Sequence, residues 1–170
     1  GAKRPPFFFF LIGRTSQRTK GGGSMKIRPA GVIEEQGKVL FLRYAYPQGD
    51  VYGIPGGGVE EGESLRHALV REMEEELGIA VLVEDLLLSA EARPVGPLEH
   101  TLHLFFRCRR LGEGTPTVRR EHTSAAGHEW LRLEDLPEKT LYPNVGTLLA
   151  RALLRPGVLY VEELPSREWR

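Results

Sequence analysis

Seven glutamates crowd into one short part of the chain, directly after three consecutive glycines. The stretch reads IPGGGVEEGESLRHALVREMEEELGIA from Ile54 to Ala80. Mg²⁺ and Mn²⁺ take carboxylate and water oxygens as ligands, and Mg²⁺ commonly binds a phosphate as well. Glycines let the main chain approach a ligand closely, because they carry no side chain. The composition of the stretch is therefore compatible with two structures: a solvated helix face, or a site for a divalent cation and a phosphate.

Helical spacing places three of the glutamates on one side of a predicted helix over Ser64–Leu77. At about 100° per residue, Glu72, Glu75 and Glu76 share an arc of about 100°. Glu74 falls on the opposite side of the helix. The predicted buried stripe consists of Leu65, Leu69, Val70, Met73 and Leu77. Like charges three or four residues apart repel, so a cation would turn an unfavourable arrangement into a favourable one.

The glycine run does not match two other loops that bind phosphate or metal. It lacks the Lys-Ser/Thr pair that a P-loop needs, and the D-x-D-x-D-G spacing of an EF-hand is absent. A glutamate-rich helix is in most proteins simply a solvated face. REMEEEL alone therefore does not decide between the two structures.

The elements before the glutamates are predicted to be strands. KIRPAGVIEE and GKVLFLRYAY form a hairpin whose turn is Glu35-Gln36-Gly37, and VYGIP is a short strand that ends at Pro55. The predicted helix then begins after Ser64, a suitable N-cap, and ends before Gly78, a suitable C′ residue.

The elements after the helix are predicted to complete a mixed sheet. IAVLVEDLLLSAEAR is a strand with a break at Glu84-Asp85, HTLHLFFRCRR alternates as a strand, and HEWLRL is another strand. GEGTPTVRREHTSAAG is a long polar loop, NVGTLLARALLR is a late helix, and GVLYVEEL is a last strand or a tail. Strands and helices interleave without the regular alternation of a doubly wound sheet. The sequence therefore predicts an α/β (α+β) sandwich with a mixed β-sheet.

Length and charge favour one globular domain that does not bind nucleic acid through a broad basic surface. The chain has 170 residues, of which 41% are hydrophobic and 27% are charged. Its net charge is zero, but five of the 23 basic residues precede Met25, which leaves 18 against 23 acids and a charge of −5 over residues 25–170. An acidic body argues against a stable nucleic-acid partner.

Three further features concern the location and the boundaries of the fold. Cys108 is the single cysteine, which excludes an intramolecular disulfide, and no apolar run reaches the length of a membrane span. We therefore expect a cytoplasmic protein with no membrane partner. Residues 1–24 are basic, begin without Met and end in GGGS, so we expect a leader that is foreign to the fold and disordered.

The spacing of fixed residues resembles the Nudix box, the signature of the Nudix hydrolases. From Gly57 the sequence has five residues, Glu63, seven residues, Arg71-Glu72, two residues, Glu75-Glu76, one residue and Gly78-Ile79. All seven fixed positions are present, and Met73 departs mildly from the aliphatic residue that is more common there. The resemblance implies a Nudix-like α/β/α sandwich with a mixed sheet, as a single domain over residues 25–170.

The resemblance implies an Mg²⁺-dependent or Mn²⁺-dependent enzyme. The family hydrolyses the pyrophosphate bond of a nucleoside diphosphate linked to another group, such as ADP-ribose, a nucleotide sugar, a dinucleoside polyphosphate or a nucleoside triphosphate. Glu72 and Glu76 match its direct metal ligands, Glu75 is a ligand or a water-mediated partner, and the carbonyl of Gly56 completes the sphere. Arg71 is expected to orient carboxylates such as Glu63.

The general base and the substrate contacts are less sharply indicated. Members of the family place the base in the box or on a later loop, which makes Glu75 and Glu121 the candidates, with Glu129 as a further loop residue. The expected substrate contacts are Arg28, Tyr44, Tyr52 and Gly57, and His103 lies on a strand from which it could face the cleft.

Two alternatives stay open. The first is a Nudix-fold module that senses a nucleotide without cleaving it. The second is an enzyme for a non-nucleotide diphosphate, which would need basic residues along the cleft; the available ones are Arg107, Arg109, Arg110, Arg119 and Arg120. Many members of the family dimerise, so the resemblance allows a homodimer.

Overall fold

A computed structural model describes residues 24–93, 99–162 and 164. The predicted leader therefore lies outside the described residues, apart from Ser24. In chain order the elements are β1 (Lys26–Glu35), β2 (Lys38–Tyr46), β3 (Gly49–Gly53), α1 (Leu65–Leu77), β4 (Ala80–Ala92), β5 (Thr101–Leu111), β6 (Gly127–Arg132), a 3₁₀ helix (Leu133–Glu138), α2 (Gly146–Leu154) and β7 (Leu159–Val161).

The sheet is mixed, as the sequence predicted. Its strand order is β3-β2-β1-β5-β4-β7, and β6 pairs with β2. β1 runs parallel to β5 and β4 runs parallel to β7, whereas the other pairs are antiparallel. β1 and β5 therefore occupy the middle of the sheet and bring residues far apart in sequence side by side.

The two helices cover opposite faces of this sheet. Neighbouring residues of β1 show the separation, because Val32 belongs to the same buried core as Leu149 of α2, whereas Ile33 belongs to the same buried core as Leu69 of α1. Successive side chains of a strand point to opposite faces. The result is the three-layered α/β/α sandwich with one buried core on each side of the sheet.

Local sequence signals account for the turns and breaks in the strands. The β1–β2 turn uses Gln36 and Gly37, both with positive φ (52° and 74°), which is the geometry of a two-residue hairpin. The predicted break in β4 is present as a shift of register between Val83 and Leu86. These predictions are confirmed because turn and bulge chemistry is local.

The buried stripe of α1 is narrower than predicted. Leu69, Met73 and Leu77 are fully buried, but Val70 is 41% exposed. Val70 lies at the edge of the stripe on the helical wheel, and the helix meets the sheet along the line of the other three. The prediction that Val70 belongs to the buried face is wrong.

No helix within 24–93, 99–162 and 164 is both long enough and apolar enough to cross a membrane.

Candidate functional site

The glycine segment after β3 is fastened to the end of β1. The amide of Gly31 donates to the carbonyl of Pro55 over 2.9 Å, and Gly56 forms an isolated bridge with Ala30. Gly56 has φ 149°, and a Cβ there would lie 2.3 Å from the carbonyl oxygen of Pro29. Only glycine fits this position, because the backbone of β1 leaves no room for a side chain.

Helix α1 presents its glutamates beside this segment. Ser64 caps the helix by accepting a hydrogen bond from the amide of His67 over 3.2 Å, and Gly78 ends it in the left-handed conformation. These caps fix where the helix begins and ends, and so which way each glutamate points. Glu72 and Glu76 point towards the glycine segment.

Gly57 and Glu72 are in close contact. A Cβ on Gly57 would lie 2.2 Å from Oε1 of Glu72, whereas a Cβ on Gly58 would meet nothing within 4 Å. The absence of a side chain at Gly57 therefore makes room for the carboxylate of Glu72.

Glu76 is the most enclosed carboxylate of the cluster. The residue is 7% exposed, and its Oε2 accepts a hydrogen bond from the amide of Gly56 over 3.0 Å. Burial raises the pKa of Glu76 to about 7; the nearby Arg28 opposes this shift and the charge of Glu72 adds to it. Burial also raises the pKa of Glu72.

Arg71 joins the remaining carboxylates into one network. Its Nε and Nη2 donate to the two oxygens of Glu63 over 2.8 and 3.0 Å, so the predicted pairing is present. Its Nη1 donates to Glu72 over 2.9 Å and to Glu75 over 3.3 Å. The hydrogen bonds that Arg71 donates to Glu63 lower the pKa of Glu63 to about 2. One guanidinium thus offsets part of the repulsion among three carboxylates.

The donor set suits a hard divalent cation. Glu72 and Glu76 supply carboxylate oxygens one helical turn apart, and the lack of a side chain at Gly57 lets the Glu72 carboxylate lie against the main chain. Across the described ranges, no three His, Cys, Asp or Glu side chains already converge on one point, since Arg71 draws Glu72 and Glu75 towards itself. The residues fit a site in which a cation competes with Arg71 for these oxygens.

Comparison with known proteins identifies this arrangement. Residues 26–152, most of the chain, match the NUDIX domain family. The chain belongs to this family. The capped helix, its glutamates and the glycine segment before it are the parts of the Nudix box.

Relatives with assigned activities match less than half of this chain. An ADP-ribose pyrophosphatase of Methanocaldococcus jannaschii is 35% identical over 77 residues, which are 45% of this chain and 46% of that protein. A CTP pyrophosphohydrolase of Escherichia coli is 42% identical over 73 residues, which are 42% of this chain and 54% of that protein. The chain thus spans about half the length of each curated relative.

Solved Nudix structures share the fold. A MutT NUDIX hydrolase from Burkholderia pseudomallei superposes with a TM-score of 0.63 at 25% identity, covering 76% of this chain and 98% of that one. The similarity covers most of both chains, which confirms the predicted fold.

The long loop between β5 and β6 is docked on the end of the Nudix helix. The amide of Thr117 donates to the carbonyl of Leu77 and that of Arg119 to the carbonyl of Glu76, each over 2.9 Å. The guanidinium of Arg119 also pairs with Glu74 at 3.0 Å, which adds a further contact between the loop and the helix. Sequence reasoning missed this docking, because a polar loop carries no periodic signal.

Tyr44 lies on the same side of the sheet as the helix of the Nudix box. Tyr44 is 6% exposed and belongs to the core beneath α1. Burial raises its pKa to about 12, so it carries its proton.

The two tyrosines predicted to contact substrate lie on opposite faces of the sheet. Tyr52 is also 6% exposed, but it packs in the core beneath α2 and donates from its hydroxyl to Oε2 of Glu129 over 3.0 Å. The pairing of Tyr44 with Val51 across β2 and β3 explains the separation, since Tyr52 is the next residue. The two rings therefore cannot form one platform for a base.

Arg28 and the loop glutamates occupy different surroundings. Nη2 of Arg28 donates to the carbonyl of Gly56 over 2.7 Å and to that of Ile54 over 3.3 Å. Glu121 is exposed in the turn just before Thr123, on the loop that docks on the Nudix helix. Glu129 lies on β6 and is engaged by Tyr52, on the side of the sheet away from that helix.

His103 is buried in the middle of the sheet beside Arg28. It is 1% exposed, and within the described residues neither ring nitrogen has a hydrogen-bond partner. Its ring stacks on Phe105 at a centroid distance of 6.0 Å and meets the edge of Tyr142 at 6.3 Å. Burial lowers its pKa to about 3, so the imidazole is neutral.

Proposed function

We propose that this protein hydrolyses the pyrophosphate bond of a nucleoside diphosphate linked to another group, with Mg²⁺ or Mn²⁺ as the cofactor. The observation that carries the proposal is the pair of enclosed carboxylates, Glu72 and Glu76, which lie directly against the main chain of the glycine segment. The complete Nudix box and the names of the two relatives, one an ADP-ribose pyrophosphatase and the other a CTP pyrophosphohydrolase, support it.

Three groups would hold the cation. These are the carboxylates of Glu72 and Glu76 and the carbonyl of Gly56, with Glu75 as a further ligand or a partner through water. A bound divalent cation supplies charge neutralisation on the diphosphate and an acidified water. Arg28 already donates to the Gly56 carbonyl and to that of Ile54, which fixes the direction in which the segment points.

Side chains of the box prepare this site before any ligand arrives. Arg71 and Glu63 form a two-bond pair that anchors the glycine segment to the helix, since Nη2 of Arg71 also donates to the carbonyl of Gly58 over 3.1 Å. Gly57 lets the diphosphate approach the main chain closely. In this proposal Arg71 and Glu63 act by orienting the carboxylates and the glycine segment.

We propose that Glu121 is the general base that accepts the proton of the attacking water. Glu75 is the alternative candidate within the box. Glu121 stands on the docked loop and is exposed, so its oxygens are open to a water. Glu129 is the weaker candidate, because its Oε2 accepts from Tyr52 on the other side of the sheet. Variants Glu121→Gln and Glu75→Gln, compared at several pH values, distinguish the two.

The ion pairs formed by the arginines favour a nucleotide substrate over a non-nucleotide diphosphate, which would need a basic cleft. Three of the arginines near the β5–β6 connection form ion pairs away from the Nudix glutamates. The pairs are Arg107 with Glu34, Arg109 with Glu84, and Arg110 with Glu35. Their charges are therefore compensated locally.

A mixed panel of nucleotide derivatives with product analysis tests the proposal. The panel contains ADP-ribose, nucleotide sugars, dinucleoside polyphosphates and nucleoside triphosphates, with Mg²⁺ and with Mn²⁺. Turnover should collapse in Glu76→Gln and persist in the control Glu61→Gln, since Glu61 is exposed. Undiminished turnover in Glu76→Gln would refute the assignment, and tight binding without turnover would favour a sensing module.

A further inference from the structure

The loop that carries Glu121 is anchored to the rest of the protein on both sides of that residue. Before it, the amides of Thr117 and Arg119 donate to carbonyls in the last turn of α1, each over 2.9 Å. After it, Ala125 is 1% exposed in the core beneath α1, and the amide of Ala126 donates to a carbonyl of β2 over 2.8 Å. Glu121 therefore stands on a short crest whose two ends are fixed.

Arg119 joins this loop to the helix with both its main chain and its side chain. Its amide donates to the carbonyl of Glu76, and its Nη2 donates to Oε1 of Glu74 over 3.0 Å. The guanidinium lies over Gly78, where a Cβ would be 2.9 Å from Nη2. The glycine that ends the helix thus also leaves room for the side chain of Arg119.

The end of the helix needs a cation that the helix itself does not supply. Its last turn contains no basic residue, but it contains three consecutive glutamates, Glu74, Glu75 and Glu76. The C-terminal end of a helix carries partial negative charge, so acids are unfavourable there and a cation is favourable. Arg119 brings that cation from the loop. The Arg119–Glu74 pair is exposed, and such a pair alone is weak, so the docking depends on the pair together with the helix end and the main-chain bonds.

The same arginine closes the turn on which Glu121 stands. The amides of His122 and Thr123 donate to the carbonyl of Arg119 over 2.9 and 3.2 Å. Two residues of chain span at most about 7 Å. The backbone of Glu121 therefore stays within that distance of a residue that is hydrogen-bonded to the main chain of Glu76.

We infer that Arg119 is a positioning residue, which holds Glu121 on a preformed arm fixed to the Nudix helix. The inference rests on the proposed function, in which Glu121 is the general base. The guanidinium of Arg119 is turned towards Glu74, which helical spacing places opposite Glu72, so Arg119 acts through Glu121 and not by contact with the substrate. A base that is already in place does not have to be ordered when the substrate binds.

A set of three substitutions tests the inference. Arg119→Gln removes the charge, Arg119→Lys keeps it, and Arg120→Gln is the matched control, because the Arg120 guanidinium donates inside the loop to the carbonyl of Ala126. We expect kcat to fall roughly 3-fold to 10-fold in Arg119→Gln, less in Arg119→Lys, and to stay near the wild-type value in Arg120→Gln. The KM should change little in Arg119→Gln. Mn²⁺ binding to the substrate-free protein, followed by electron paramagnetic resonance, should also change little, because the proposed metal ligands are untouched.

Two further readouts separate positioning from a general loss of stability. If Arg119 acts through Glu121, then Arg119→Gln should cause no further loss of kcat in a protein that already carries Glu121→Gln. A loss of stability would lower kcat equally in both backgrounds. In the ligand-free protein, the amides of Thr117 and Arg119 should exchange their hydrogens faster in Arg119→Gln, because the loop opens more often from the helix.

Four results would overturn the inference and leave the proposed hydrolysis intact, provided that the wild type is active. These are an equal loss of kcat with and without Glu121, an unchanged kcat in Arg119→Gln, unchanged exchange of the two amides, or full activity of Glu121→Gln. If Arg119→Gln does not fold, Glu74→Gln removes the same ion pair from the helix side and takes its place in every comparison. A wild type that neither binds Mn²⁺ nor hydrolyses any diphosphate would overturn the proposed function, and the inference with it.

Discussion

The α-carbon of Gly57 faces the carboxylate of Glu72 so closely that a methyl group at Gly57 would lie 2.2 Å from Oε1. The contact is with the far end of a flexible side chain, whereas at Gly56 it is with the backbone of β1. These neighbouring glycines therefore serve different purposes. Gly56 lets the segment pack against the backbone of β1, and Gly57 leaves space for the observed orientation of the Glu72 carboxylate.

Gly57→Ala should therefore impair activity more than stability. The added methyl group pushes the Glu72 carboxylate aside, and we expect hydrolysis to fall about 10-fold or more, as when other supports of metal ligands are lost. The midpoint of thermal unfolding should move by only a few degrees. Gly58→Ala is the matched control, since a Cβ there meets nothing within 4 Å. If the two variants are equally active, the close contact between Gly57 and Glu72 does not matter for activity.

Arg71→Lys should disable the site although it preserves the charge. Lysine cannot reproduce the fork that contacts Glu63, Glu72 and Glu75 together. We expect kcat/KM to fall by roughly 10-fold to 100-fold. Arg109→Lys is the control, because the Arg109 side chain is 62% exposed and makes one contact with Glu84. If steady-state kinetics give the same kcat/KM for both variants, the Arg71 network has no role in activity.

Burial of His103 should make the protein less stable in acid. Its pKa is about 3 in the fold, against 6.5 for an unperturbed histidine, so below pH 6.5 the unfolded chain takes up a proton that the folded chain does not. The resulting loss is about 2 kcal/mol at pH 5 and grows as the pH falls towards 3. His103→Phe removes the titrating group. Denaturant unfolding should show a smaller difference in the free energy of unfolding between pH 8 and pH 5 for the variant than for the wild type. If both proteins lose the same stability at pH 5, His103 is not the cause.

Gly31→Ala should destabilise the core between β1 and α1. A Cβ at Gly31 would lie 2.2 Å from Cε of Met73 and 3.0 Å from Sγ of Cys108. Overpacking of this kind costs about 1–3 kcal/mol. Met73→Val shortens the opposing side chain, so the double variant should recover part of the loss. Urea unfolding of the four proteins in this cycle measures the coupling, and strict additivity would mean that the two residues do not compete for space.

The sequence predicted the parts of the site that depend on local spacing. Helical periodicity placed Glu72 and Glu76 on one side, and the pairing of Arg71 with Glu63 followed from the motif. Caps and turns were predictable for the same reason: each depends on a few adjacent residues. The order of the elements and the mixed sheet also agree with the structure.

The parts that escaped prediction depend on register and on loops. Tyr44 and Tyr52 were both placed near the cleft, but the β2–β3 register puts them on opposite faces. The β5–β6 loop is polar, and its sequence gives no sign that it docks on the Nudix helix. Val70 was misplaced because the width of a helix interface depends on how the helix rests on the sheet, which periodicity alone does not determine.

The pairing of β1 with β5 also bears on the order in which the protein folds. Arg28 lies beside His103, roughly 75 residues later in the chain, and the Nudix helix lies between them in sequence. Contacts of such separation close slowly, because a long segment must be ordered before they form. The Nudix helix can form early from local signals. The surroundings of Glu76 are complete only after the central strands have paired and the β5–β6 loop has docked through Arg119. A chain released before residue 119 would therefore carry the whole Nudix motif without the docked loop.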